Sequence, residues 1–174
     1  MPMDLSAVRA LCDAAAPVMG EALWTNDVTV ELRFAPLEGS TVGRSDRSSP
    51  YRRADITIDP AGHDTEADVL HTLRHELLHS VLGEFDVYAN MLESYLPDAA
   101  ARGVEAKAWT LACERTVNRL EHVLDGLGWT PEALAGRETT CAGCGRTWRA
   151  AAVEGTETVK CPGCGDNVTH GRCA

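Results

Sequence analysis

Two short stretches of this chain carry residues whose types and spacing suit metal chemistry. The first, His75-Glu76-Leu77-Leu78-His79, puts two imidazoles four residues apart. On a helix both rings then leave the same face, one turn apart, with a carboxylate beside the first. Paired imidazole nitrogens hold Zn²⁺ well, and an acid next to them can take a proton from water. The second stretch holds Cys141-Ala142-Gly143-Cys144 and Cys161-Pro162-Gly163-Cys164, two C-x-x-C pairs with sixteen residues between them. Glycines follow each pair at 145 and 165, where they let backbone amides turn toward the sulfurs. Four thiolates so spaced close a tetrahedral structural Zn²⁺ site.

The pentapeptide needs a helix, and its surroundings supply one. Residues 64–83, DTEADVLHTLRHELLHSVLG, contain no proline and no internal glycine. Thr65 and Asp68 resemble a capping box, and Gly83 supplies the stop. At 100° per residue Val69, Leu70, Leu73, Leu77 and Val81 form an apolar sector that Leu78 and Leu82 extend. His75, His79, Thr72 and Glu76 fall opposite it, on the face free to line a cleft. His71 continues the histidine ladder but drifts toward the apolar side, which makes it a packing residue or a partner behind the ligands.

Two imidazoles leave a third ligand to be found. In metzincins a glycine and then a His or Asp follow in fixed register, and Gly83 and Asp86 each arrive one residue late. A third histidine close behind is the solution of another family, and none comes before His122. Gluzincins take a glutamate from a later helix, and residues 104–125 form such a helix, with Trp109, Cys113, Val117, Leu120 and Leu124 on one stripe. Glu114 and Glu121 flank that stripe. Glu114 is favoured because Asn118, one turn on, can accept the other N–H of a ligating imidazole. Glu121, with Asp125 behind it, is the rival, and Asp86 the remaining alternative.

The residues Ala54-Asp55-Ile56-Thr57-Ile58-Asp59, then TLRHELLH, then CERTVNRLE on the next helix, resemble the small zincin-like proteins of bacteriophage genomes, which are similar to minimal gluzincins. Glu114-Arg115-Thr116-Val117-Asn118-Arg119-Leu120 matches the E-x-x-V/I-N-x-L context of that group. The resemblance covers about residues 50–125. It implies a zincin fold, an edge strand ahead of the metal helix, and peptidase chemistry with no named substrate.

The expected architecture is α+β. A zincin-like domain over 1–136 holds an N-terminal helix (4–22), strands at 28–34 and 52–58, the metal helix and the glutamate helix. A zinc ribbon over 137–174 follows a linker at Pro131–Arg137. Strands at Thr147-Trp148-Arg149 and Glu157-Thr158-Val159-Lys160 form a hairpin between the cysteine pairs, and a module this short draws its folding free energy from the metal. At 174 residues and 44% hydrophobic content the chain can bury a core, built from Ala, Val and Leu because aromatics make up only 5%.

Charge and cysteines narrow the setting. Residues 1–136 carry 11 Lys/Arg against 22 Asp/Glu, and residues 137–174 carry 5 against 4, so the body is a poor general nucleic-acid binder. The exception is 43–53, GRSDRSSPYRR, a basic serine-rich stretch expected as a solvated loop. Seven cysteines are an odd number for a disulfide framework. Cys12 and Cys113 fall on helix faces as core residues, and His170 and Cys173 lie in the tail. With no apolar run of membrane length and no leader pattern, a cytosolic location without membrane contact is expected.

These residues point to a zinc metallopeptidase with one catalytic and one structural Zn²⁺. His75, His79 and Glu114 would hold the first, Cys141, Cys144, Cys161 and Cys164 the second, and Glu76 would act as general base on a peptide or protein substrate. Tyr51, Tyr88 and Tyr95 are candidates for the oxyanion donor. The alternative is a non-catalytic zinc-stabilised binding or assembly module, associated with nucleic acid through the ribbon.

Overall fold

The computed structural model describes residues 2–23, 28–48, 53–83, 91, 94–96, 98–150, 158–165 and 167–169. The chain is α+β. Helix α1 (Leu5–Ala22) opens it, burying Val8, Leu11, Cys12, Ala15 and Met19 along a stripe of helical period. A three-stranded sheet follows, made of β1 (Thr29–Phe34), β2 (Gly43–Ser48) and β3 (Arg53–Ile58) in the order β1-β3-β2. The central strand β3 runs parallel to β1 and antiparallel to β2. Its inward residues Ala54, Ile56 and Ile58 are fully buried.

β2 is the main departure from expectation. The basic stretch expected as a loop is an ordered strand from Gly43 to Ser48, paired with β3 from Gly43↔Ile58 to Ser48↔Arg53. Its sequence GRSDRS shows no alternation because backbone bonds to β3 hold it, and an edge strand can carry polar groups on both faces. Arg44 pairs with Asp46 on the same strand, Nη2 to Oδ1 2.8 Å.

A single 3₁₀ turn, Pro60–Gly62, leads into α2 (Glu66–Leu82). Both halves of the capping box form: Asp68 N donates to Thr65 Oγ1 at 3.2 Å, and Thr65 N to Asp68 Oδ2 at 2.9 Å. Buried His63 ties the helix to the sheet, with Nδ1 2.8 Å from the Asp59 carbonyl and Nε2 2.9 Å from Thr72 Oγ1. Val69, Leu70, Leu73, Leu77 and Leu78 enter the core as expected, whereas Val81 is 39% exposed.

Thr72 and Glu76 do not lie on an open face. They are buried with the core residues because β2 packs over them. Between Val69 and Ser80 the helix is enclosed by its neighbours, and the flank bearing His71, His75 and His79 is the part left accessible.

Helix α3 (Ala99–Gly126) is longer than expected and starts at Asp98, whose Oδ1 accepts from Ala101 N at 2.8 Å. Val117 and Glu121 are its buried residues, with Leu120 and Leu124 packed partly against the core. The segment expected as a linker forms the short helix α4 (Pro131–Leu134). Pro131, Leu134 and Ala135 are buried there, so this stretch joins the core instead of leaving it.

The C-terminal segment forms two hairpins, β4 (Arg137–Thr140) with β5 (Thr147–Ala150) and β6 (Thr158–Lys160) with β7 (Asn167–Thr169). Each C-x-x-C pair therefore sits at the tip of its own hairpin. The expected pairing of 147–149 with 157–160 is replaced by these two local ones. Among the described residues no helix is long and apolar enough to cross a membrane.

Candidate metal centres

On α2, His75 and His79 project from consecutive turns with their Nε2 atoms 3.3 Å apart. Glu114, carried in by α3, reaches both: its Oε2 lies 3.4 Å from His75 Nε2 and its Oε1 3.2 Å from His79 Nε2. Tetrahedral ligands at about 2.0–2.1 Å from a metal stand roughly 3.3 Å apart, so the three donors already have the spacing of a coordination shell. His75, His79 and Glu114 can thus hold a metal ion. A tetrahedral ion held by these three residues would have one position left for solvent, and Glu114 is the half-exposed member of the set.

Glu121 takes the place expected of Asn118. Glu121 belongs behind the ligands, its Oε2 3.3 Å from His75 Nδ1. Asn118 is exposed and, among the described contacts, joins neither histidine. The reason is helical phase: Glu121 lies two full turns beyond Glu114 on the side facing α2, while Asn118 is rotated toward solvent. A carboxylate at Nδ1 fixes the tautomer that presents Nε2 to a metal and makes that nitrogen more basic. Burial pulls the His75 pKa down, but the hydrogen bond it donates to Glu121 and the charges of Glu121, Glu76 and Glu114 outweigh it, so the net direction is up. For Glu121 burial acts upward, and its bond to His75 with the charges of His75, His71 and Arg74 brings it below the usual carboxylate range.

His71, expected on the apolar side, is instead 58% exposed, with Nε2 3.7 Å from Glu121 Oε1. Asp86 lies outside the described residues, as do Tyr51 and Tyr88. Tyr95 is 79% exposed and, among the described contacts, touches none of the cluster.

Glu76 occupies a different environment from the ligands. It is 6% exposed, under β2. An ideal Cβ built on Gly43 would stand 2.7 Å from Glu76 Oε1 and 2.5 Å from Thr72 Cγ2, so the strand passes over this carboxylate with no room for a side chain. Burial, opposed by His75 and helped by Glu114 and Asp46, pushes its pKa up to about 7. A nearby divalent cation would act in the opposite direction. An acid poised near neutrality beside a metal-ligand set is suited to exchange a proton with water.

Arg74 escaped the sequence reading. It is fully buried and binds Asp125 and the Trp129 carbonyl. The signal was present, since Arg74 stands four residues after Leu70 and four before Leu78, on the core side of the helix.

The second cluster joins Cys141, Cys144, Cys161 and Cys164, which can also hold a metal ion. Sγ of Cys141 is 3.6 Å from that of Cys164, and Cys144 is 3.6 Å from Cys161. Disulfide sulfurs stand about 2.0 Å apart, whereas thiolates around a tetrahedral ion at about 2.3 Å are roughly 3.8 Å apart. Gly145 and Gly165 adopt φ of 72° and 78° and donate to the carbonyls of Cys141 and Cys161, closing each turn. The Gly163 amide donates to a sulfur, 3.3 Å from Cys161 Sγ. Burial raises the Cys161 thiol, but the amides of Cys164 and Gly163 and the neighbouring thiols bring it to about 7, which eases the deprotonation that metal binding needs. Cys12 behaves oppositely: burial, aided by Asp13, drives it to about 12, and it is a packing residue as expected. Cys113 is half-buried, and His170 and Cys173 lie outside the described residues.

No protein-family model, curated protein or solved structure matches this chain.

Proposed function

We propose that the chain is a zinc-dependent peptidase of zincin type, residues 1–136 carrying the catalytic centre and residues 137–174 a zinc ribbon. The observation that carries this reading is the convergence of His75 Nε2, His79 Nε2 and the Glu114 carboxylate within 3.2–3.4 Å of one another, with Glu76 left free of the ligand set. Two imidazoles and a carboxylate with an open position are the donor set of catalytic zinc, and four thiolates that of structural zinc. A site closed by four protein ligands has no use for a buried free acid beside it. Reduced thiols in the ribbon are favoured by a reducing compartment, which supports a cytosolic location.

When bound, zinc supplies Lewis acidity for a carbonyl oxygen and makes coordinated solvent more acidic. The remaining steps belong to the chain. Glu76 takes a proton from the attacking water and passes it to the departing amine nitrogen. The roof formed by β2 keeps bulk water from competing for that carboxylate. Glu121 holds His75 in the tautomer that leaves Nε2 free. The substrate is an extended peptide or protein segment, with β2 offering the sheet edge nearest Glu76.

The test combines metal analysis with hydrolysis of unfolded casein. Two zinc ions per full chain are expected, and His79→Ala should leave about one. Glu76→Gln should keep both ions and lower hydrolysis about 10²–10⁴-fold. Fully loaded protein that cleaves no peptide bond would leave a metal-stabilised binding module instead, and a Glu76→Gln variant with undiminished turnover would remove Glu76 from the role of base.

A further inference from the structure

We propose that Arg74 is the positioning residue of the helix-borne metal centre. From the buried side of α2 it fixes α3 so that Glu114 meets both imidazoles and Glu121 meets His75 Nδ1. The inference rests on reading His75, His79 and Glu114 as a metal centre.

Arg74 is fully buried, and its charge is permanent. Burying such a group is unfavourable unless partners surround it. Here every described partner belongs to α3 or to the turn just beyond it. Nη1 lies 2.6 Å from Asp125 Oδ1 and 3.1 Å from the Trp129 carbonyl, and Nη2 lies 3.5 Å from Asp125 Oδ2 and 3.6 Å from Glu121 Oε1. Gly128, at φ 79°, makes the turn that aims the Trp129 carbonyl back at the guanidinium.

The anchorage matters because α3 is otherwise held lightly. Of its 28 residues, Val117 is the one apolar side chain fully withdrawn from solvent. A helix packed through so little apolar surface has weakly determined rotation and height. A planar guanidinium that engages positions 121 and 125 and the carbonyl of 129 determines both. Glu114 lies two turns before Glu121 on the same flank, so rotation fixed at 121 is fixed at 114.

Glu121 shows the same dependence. Its Oε2 serves His75, while its Oε1 is buried without a hydrogen bond. The basic side chains beside Oε1 are Arg74 and His71, at 3.6 and 3.7 Å. Arg74, on the buried side, thus stands where it holds the Glu121 carboxylate turned toward the imidazole. A lysine, with one point charge and no fork, cannot span the same set.

The experiment measures Zn²⁺ affinity of the helix centre in the full chain by chelator competition, with the ribbon loaded. Absorption of the Co²⁺-substituted centre reports ligand geometry. Arg74→Met should weaken Zn²⁺ binding there about 10–100-fold and alter the Co²⁺ spectrum, leaving ribbon stoichiometry intact. Arg74→Lys should restore only part of the loss. The double variant Arg74→Met/Glu121→Gln should lose far less than the product of the single losses, because Arg74 acts through Glu121.

If Arg74→Met does not fold, Asp125→Asn, at a half-exposed position, gives a smaller loss in the same direction, and no loss overturns the proposal. Folded Arg74 variants with wild-type affinity and spectrum, or losses that simply multiply, also overturn it. In those cases a wild-type chain that still binds two ions keeps its metal-centre reading. Wild-type protein that binds one ion, in the ribbon alone, overturns both.

Discussion

His75 and His79 stand on a helix whose other sides are buried against α1, the sheet and α4, so their position is set before any ion arrives. Cys141 and Cys161 stand in a segment where they are themselves much of what is buried. Beyond Gly136 the described buried residues are Thr139, Cys141, Ala150 and Cys161, two of them ligands. In the first region packing makes the site. In the second the site must make the packing. The ligand sets match this difference: an open set of two imidazoles and one carboxylate on a rigid scaffold, and a closed set of thiolates at two hairpin tips.

Metal removal should therefore divide the molecule. Structural zinc contributes on the order of 10 kcal/mol to modules of this kind, more than the ribbon's few buried side chains can replace. With excess chelator, amides of the ribbon such as Cys141, Gly145 and Gly165 should lose protection from hydrogen exchange, while those of α1 and α2 keep it. Ala150, the last residue of β5, is buried where that strand meets α1. If α1 loses protection together with the ribbon, the two regions fold as one unit and the contrast fails.

The same contrast explains what the sequence made legible. Both ligand sets have short-range signatures, a helical turn and a C-x-x-C spacing, and both appeared where residue types required. Glu114 was favoured over Glu121 and Asp86 because Asn118 follows one turn on; Glu114 does converge with both histidines, but Asn118 joins neither among the described contacts. The acceptor behind a ligating imidazole was expected at Asn118 and lies at Glu121, because one turn of phase on a long helix is decided by packing against α2. β2 was hidden because a polar edge strand has no periodicity to display. The spacing of Arg74 from Leu70 and Leu78 puts it on the core side, but its partners, Asp125 and the Trp129 carbonyl, are distant in sequence and leave no local signal of its role.

Glu76 carries the next largest effect. In the folded chain its pKa is raised from 4.5 to about 7, chiefly by burial. Both folded and unfolded forms hold the proton below pH 4.5, so no penalty exists there. Across the window up to about pH 7 the unfolded chain ionises first, and the folded state loses stability relative to it. Above that window the full cost, on the order of 3 kcal/mol, applies to metal-free protein. Glu76→Gln removes it. Urea unfolding of metal-free protein, followed by the helical signal, should show the variant more stable than wild type at pH 8 and equal to it at pH 4. A wild-type advantage at pH 8 would mean that Glu76 is a structural partner, and the helix centre would lose the feature that separates it from the ribbon.

Gly43 gives the finest version of the comparison, since it concerns how closely the scaffold encloses the acid. A Cβ there would approach Thr72 Cγ2 to 2.5 Å, Glu76 Oε1 to 2.7 Å and Glu76 Cγ to 3.1 Å. Glu76 can swing its carboxylate away, but the Thr72 methyl belongs to a β-branched side chain whose hydroxyl is held by His63 at 2.9 Å. Gly43→Ala should therefore cost about 1–3 kcal/mol by overpacking. A displacement of Glu76 by about an ångström should also lower hydrolysis roughly tenfold or more. Zinc content should stay at two per chain, because the atoms nearest that Cβ belong to Thr72 and Glu76, outside the candidate ligand set. Loss of stability with full turnover would show that β2 roofs the helix without positioning its acid, and the preorganisation argued for this region would then reach its ligands but not its base.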